Sequence, residues 1–153
     1  MAVNIIDFLE IIEVNEENCH QVLGTAAAGE SMFKMIVLLK KKPGMSDAAF
    51  RDYYEGHHAQ LVRRSAPQMR KYVRNYLTPI GNEVYVADEG GAVSCVTEAW
   101  FQSKEDFDQT VADILNSDTA EALVRDEENL FDRPFIRWFA AEEIESDLGV
   151  RRV

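Results

Sequence analysis

Two adjacent histidines, His57 and His58, follow the aromatic run Phe50, Tyr53 and Tyr54 and precede Ala59-Gln60-Leu61. Imidazole titrates near pH 6.5, so a histidine held in a pocket can accept and donate a proton at neutral pH. On an unbroken helix His57 falls in the middle of the stripe formed by Phe50, Tyr53 and Leu61, and His58 lies to one side. Gly56 immediately precedes the pair and lacks the Cβ that favours regular helical geometry, so it can interrupt the helix and reset its phase. Either ring also has a plainer reading, as a satisfied histidine at a helix end. Adjacent histidines on a helix diverge by roughly 100°, and the third histidine, His20, is far away in the chain. No metal site is expected.

The carboxylates carry a similar choice. Glu98 shares a strand face with Val96 and Trp100, and a carboxylate beside an indole is disfavoured in its charged form unless a partner compensates. It can act as an acid or orient an imidazole, or it can form a salt bridge, with Arg137 on a neighbouring strand as the expected partner. Glu127 falls at the centre of the stripe Ala120, Leu123, Val124 and Phe131, with Asp126 to its side. Either acid can face a pocket or pair with Arg125 or Arg133. Tyr53, Tyr54, Tyr72, Tyr76 and Trp100 supply apolar walls with polar tips, suited to a flat organic ligand or to a core. Gly90-Gly91 sits between strands with no helix following, so it does not cradle a phosphate. No serine or cysteine sits in a nucleophile elbow. Chemistry without a bound cofactor is the simplest enzymatic option.

Strands that are apolar on both faces must position these groups. Phe33 to Leu39 is almost continuously apolar. Val93 to Phe101 puts Val93, Cys95, Thr97, Ala99 and Phe101 on one side and Ala92, Val96 and Trp100 on the other, and Phe135 to Ala140 is similar. Side chains alternate along a strand, and burial saves roughly 25 cal/mol for each Å² of apolar surface removed from water, so both faces demand cover. Helices can cover one face, and a second copy of the chain is the expected cover for the other. Lys42-Pro43-Gly44 marks a turn after the first strand, and Ser46-Asp47 an N-cap for the helix carrying the histidines. Arg70 to Thr78 alternates as a strand, Ser103-Lys-Glu-Asp106 resembles a capping box before a helix with Phe107, Val111, Ile114 and Leu115, and a further helix runs from about Thr119 to Leu130. A last strand is expected to begin near Pro134. The order βαββαβ predicts an α+β, ferredoxin-like domain, a four-stranded antiparallel sheet with helices on one face.

The chain has 153 residues, 46% of them hydrophobic and 28% charged, which suits one folded domain with a single core. The domain is expected to occupy 32–153, with 1–31 as an extension: Ile5, Phe8, Leu9 and Ile12 have helical spacing, and Gly24 to Gly29 reads as a linker. A formal net charge of -11 opposes binding to nucleic acid or anionic membranes. Cys19 and Cys95 form no CxxC, and the acidic N-terminus lacks the basic region of a signal peptide, which predicts a reduced, cytoplasmic protein without a transmembrane span.

Phe50-Arg-Asp-Tyr53-Tyr54-Glu-Gly-His-His58-Ala-Gln-Leu61-Val resembles the first-helix signature of the EthD family, aromatics followed by a His-Ala-Pro-Leu-like tetrad. Lys41 to Ser46, Tyr72-Val-Arg-Asn75, Glu98-Ala-Trp100-Phe101, and Asp126-Glu127 followed by Phe131-Asp132 are similar to that family in the same order. The resemblance spans Lys34 to about Glu143 and departs at Gln60, where the family has proline. It implies a dimeric α+β barrel, two ferredoxin-like sheets face to face with helices outside. It also implies His58 as the acid or base, with Glu98 or Asp126 as a second group, and Tyr54, Tyr72, Asn75 and Trp100 about an aromatic, polyketide-like or related hydrophobic metabolite. The implied chemistry is dehydration, decarboxylation, isomerisation or oxygenation without a cofactor; a non-catalytic auxiliary protein of a catabolic pathway is the alternative. Haem occurs in other branches of the superfamily, but no matching ligand context is found here.

Overall fold

A computed structural model describes residues 32–81, 93–146 and 148–149. The extension at 1–31 and the loop expected through Asp88-Glu89-Gly90-Gly91 lie outside the described residues. The elements are β1 (Phe33–Leu39), α1 (Asp47–Tyr53), a π-helical turn (Tyr54–His58), α2 (Ala59–Ser65), β2 (Lys71–Tyr76), β3 (Cys95–Phe101), α3 (Lys104–Leu115), α4 (Thr119–Leu130), a 3-10 turn (Arg133–Phe135) and β4 (Arg137–Ala141). The strands form one sheet in the order β2-β3-β1-β4, and every neighbouring pair is antiparallel. This is the expected ferredoxin-like α+β plan.

Local signals account for most boundaries. Gly44 closes the turn after β1 with φ 82°, a conformation that favours a residue without Cβ. The Ser46 hydroxyl accepts from the Ala49 amide at 3.2 Å to start α1, and Ser103 does the same for Asp106 at 3.2 Å to start α3. The last strand begins later than expected. Pro134 has no amide to give to a ladder, and the chain there closes a 3-10 turn in which Phe135 donates to the Asp132 carbonyl at 2.9 Å. Pairing resumes only at Arg137.

The register separates two faces. Phe33 opposes Phe101, Leu39 opposes Cys95 and Tyr72 opposes Ala99. Met35, Val37, Leu39, Cys95, Thr97, Ala99 and Phe101 are buried on the side that packs with Phe50, Tyr54, Ala59, Leu130 and Phe131. Phe50, Tyr54, Tyr76 and Phe131 meet there edge to face at 5.7 to 6.0 Å between ring centroids. Such pairs add about 0.5–1.5 kcal/mol each beyond the area they bury. The other face carries Ile36, Leu38, Val73 and Val96 half-buried and Phe139 at 49% exposure. Among the described residues no helix is long and apolar enough to cross a membrane.

Candidate active site

The π-helical turn decides which histidine faces inward. The Ala59 amide donates to the Tyr54 carbonyl, five residues back, so one residue more than an α-turn holds is accommodated at this point. The buried positions therefore run Phe50, Tyr54, His58, instead of shifting to His57 as the regular period would require. His58 is 5% exposed. His57 lies outside, its ring stacked on Tyr53 at 4.8 Å. A Cβ built at Gly56 meets nothing within 4 Å, so neither crowding nor a positive φ demands glycine there. Its low helical propensity is what remains to favour the departure from α geometry.

His58 Nδ1 donates to Asp126 Oδ2 at 2.6 Å. The other carboxylate oxygen, Oδ1, accepts from the Tyr53 hydroxyl at 3.0 Å. The edges and faces of Tyr54 and Phe131 enclose the imidazole at 4.9 and 5.1 Å. Burial lowers the His58 pKa from its ordinary value near 6.5, while the hydrogen bond and charge of Asp126 pull it back up. With Nδ1 donating to a carboxylate, the neutral ring keeps its lone pair on Nε2. Nε2 has no hydrogen-bond partner among the described residues. A base with an oriented tautomer and an open lone pair is the result.

A hydroxyl chain lies beside it. Tyr54 shares its hydroxyl with Thr97 Oγ1 at 2.7 Å and with the Tyr72 hydroxyl at 3.2 Å. Burial raises the Tyr54 pKa well above its ordinary value and pushes that of Tyr72 up to about 12, so both are neutral hydroxyls near pH 7. Glu55 takes Arg74 with both oxygens, at 3.1 and 2.7 Å, and accepts from the Tyr76 hydroxyl at 2.7 Å. The Arg74 hydrogen bonds hold the Glu55 carboxyl below its ordinary range.

The sequence candidates thus divide. His58, Asp126, Tyr54 and Tyr72 meet on the helix side of the sheet. Glu98, Asn75 and Trp100 lie on the opposite face, where Glu98 receives Lys34 Nζ at 2.6 Å and Asn75 Nδ2 at 2.7 Å, and Trp100 lies between the ammonium groups of Lys34 and Lys71 at 4.6 and 4.1 Å. The Lys34 hydrogen bond lowers the Glu98 pKa, which keeps this group ionised. Arg137 is not its partner as expected, because β1 separates β3 from β4; the Arg137 guanidinium donates to the carbonyls of Pro134 and Ile136 instead. Glu127 pairs with Arg133 at 3.1 Å, one of the expected alternatives. Sequence reasoning treated Tyr53 only as a wall and passed over Glu55; nothing in local spacing ties either to its partner on another element. Among the described residues no cluster of three His, Cys, Asp or Glu side chains could hold a metal ion.

The lowered His58 pKa makes stability depend on pH with a definite sign. The unfolded chain takes up this proton first as pH falls below about 6.5, so the contribution is complete above that value and is lost on descending toward the folded-state value. Urea midpoints compared at neutral and mildly acidic pH are expected to fall more for wild type than for His58→Gln. Equal falls would show that His58 does not carry this dependence.

An EthD domain model matches residues 42–134, more than half of the chain. No curated protein matches. Solved structures show the fold. An ethyl tert-butyl ether d (EthD) family protein from Bacillus halodurans is 20% identical, with a TM-score of 0.53 over 74% of this chain and 100% of its own. A NIPSNAP-like domain protein from Burkholderia xenovorans is 15% identical, with a TM-score of 0.52 over 76% of this chain and 88% of its own. An Arabidopsis thaliana protein is 15% identical, with a TM-score of 0.51 over 76% and 99%. The matched span runs from the turn before α1 to the turn before β4 and so contains both His58 and Asp126: the chain belongs to the EthD family.

Proposed function

We propose that this protein is a small-molecule enzyme of the EthD type that moves a proton on an aromatic, polyketide-like or related hydrophobic metabolite without a bound cofactor. Dehydration, decarboxylation and isomerisation all require such a step, and a substrate that activates oxygen itself would use the same base to form its carbanion. His58 is the base, Asp126 orients it, and Tyr54 and Tyr72 are donors or walls nearby. The observation that carries this reading is the 2.6 Å contact of Nδ1 with Asp126, which leaves Nε2 as the open lone pair. The working unit is a homodimer in the cytoplasm, with 1–31 an extension to the EthD domain at 32–153.

Glu98, Asn75 and Trp100 take no part in the proton transfer within one subunit, since the sheet stands between them and His58. Deuterium exchange tests the proposal. Aromatic and polyketide-like carbonyl compounds with an acidic C–H are incubated with protein in D2O and followed by proton NMR. The expected result is loss of a C–H signal with wild type and its retention with His58→Asn. Compounds that bind wild type yet never exchange or turn over would favour the non-catalytic auxiliary role.

A further inference from the structure

Asp126 has two oxygens and two different partners, and the second is unexplained by a simple histidine–carboxylate pair. Tyr53 donates to Oδ1 at 3.0 Å while His58 donates to Oδ2 at 2.6 Å. The two donors come from consecutive elements, the end of α1 and the end of the π-helical turn, and converge on one carboxylate from α4. We infer that Tyr53 is a positioning residue for the His58–Asp126 pair, locking the carboxylate in line with Nδ1 and sharing its charge. This deepens the proposed role of His58 and rests on that reading.

The physical argument is that of competing donors. A carboxylate that accepts one hydrogen bond is free to rotate about its Cβ–Cγ bond, whereas one held at both oxygens is not. A hydroxyl on Oδ1 also draws charge from Oδ2, which weakens its stabilisation of a protonated His58. The Tyr53 ring is held in its turn by His57, stacked on it at 4.8 Å. Among the described residues, the titratable groups beside the pair include Tyr53 from α1, Tyr54 and His57 from the turn, and, from α4, Arg125, paired with Glu121 at 3.0 Å, and Glu127, paired with Arg133 at 3.1 Å. Of these, only Tyr53 touches the carboxylate oxygen that His58 does not use. The doubled histidine thus divides its work: His58 meets the carboxylate, and His57 packs against the tyrosine that steadies it.

The test is an NMR titration of the imidazole signals in ligand-free protein, with the three histidines assigned by single substitution. Tyr53→Phe keeps the ring and its stacking and removes only the hydroxyl. His58 is expected to titrate at higher pH in Tyr53→Phe than in wild type, to titrate at lower pH in Asp126→Asn, and to show no further shift when Tyr53→Phe is added to Asp126→Asn. An unmoved His58 in Tyr53→Phe overturns the inference, as does a shift of undiminished size in the Asp126→Asn background. On a compound that exchanges in D2O, the rate is expected to fall roughly tenfold in Tyr53→Phe. The titration needs no substrate, so absence of turnover refutes the proposed function alone, and absence of the titration shift refutes the role of Tyr53 alone.

Discussion

His58→Asn is expected to lower kcat by at least about tenfold and by as much as about 10⁴, with little change in affinity for the ligand. Asparagine keeps much of the size and one hydrogen-bonding edge, so the contact with Asp126 and the packing on Tyr54 and Phe131 are largely preserved. What it cannot do is accept a proton at Nε2. An interaction made only in the transition state lowers kcat and kcat/KM together and leaves ground-state binding alone. Wild-type activity should titrate in one limb whose midpoint lies below the ordinary histidine value, because burial favours the neutral ring, and this limb should vanish in the variant. His57→Asn is the control. Its ring is exposed on Tyr53, so it should cost far less. A larger loss at His57, or turnover unchanged in both variants, would defeat the assignment of the base.

Val96→Asp is expected to convert a dimer to a monomer. Val96 sits on β3, one of the two central strands, facing away from the core, with Leu38 opposite it on one side and Asn75 on the other. Ile36, Leu38, Val73 and Phe139 continue the apolar surface around it. A second sheet packed there would bury at least about 1,200 Å² in total, the lower bound of a standard interface. An aspartate in its middle would be desolvated with no partner, a cost of several kcal/mol that far exceeds the value of the lost valine contacts. Sedimentation of wild type and variant at micromolar concentration decides the matter, with circular dichroism showing that the variant is folded. Wild-type protein that sediments as a monomer would sink the dimer. A variant that stays dimeric would move the interface elsewhere.

Wherever a signal is local, the residues themselves announce the structure. β1 is found at Phe33–Leu39 and α4 at Thr119–Leu130, where the apolar run and the helical period place them. The serine caps of α1 and α3 form as their positions predict, since a cap needs only an oxygen within three residues of an amide. The alternation along β3 also divides Cys95, Thr97 and Ala99 from Val96, Glu98 and Trp100 without reference to any other strand. β4 starts at Arg137, later than the apolar character of Phe135 and Ile136 predicts, because the missing amide of Pro134 governs the ladder.

The site is another matter, because its parts are remote in the chain. Sequence by itself determined that a histidine pair would lie on the first helical segment, that the sheet would be two-faced, and that acids would stand on both β3 and α4. Only the tertiary structure decided which acid meets which histidine. Asp126 lies 68 residues from His58 and Tyr53 lies 73 from Asp126, and no periodicity carries across such separations. The choice of His58 over His57 turns on one hydrogen bond reaching five residues back instead of four, a phase change that a helical wheel cannot contain. Glu98 was separated from the histidine by the sheet itself: its face was legible, but the side on which the helices pack is set by the summed burial of Met35, Val37, Leu39, Ala99 and Phe101 against Phe50, Tyr54 and Leu130, a property of the assembled core and not of any one segment.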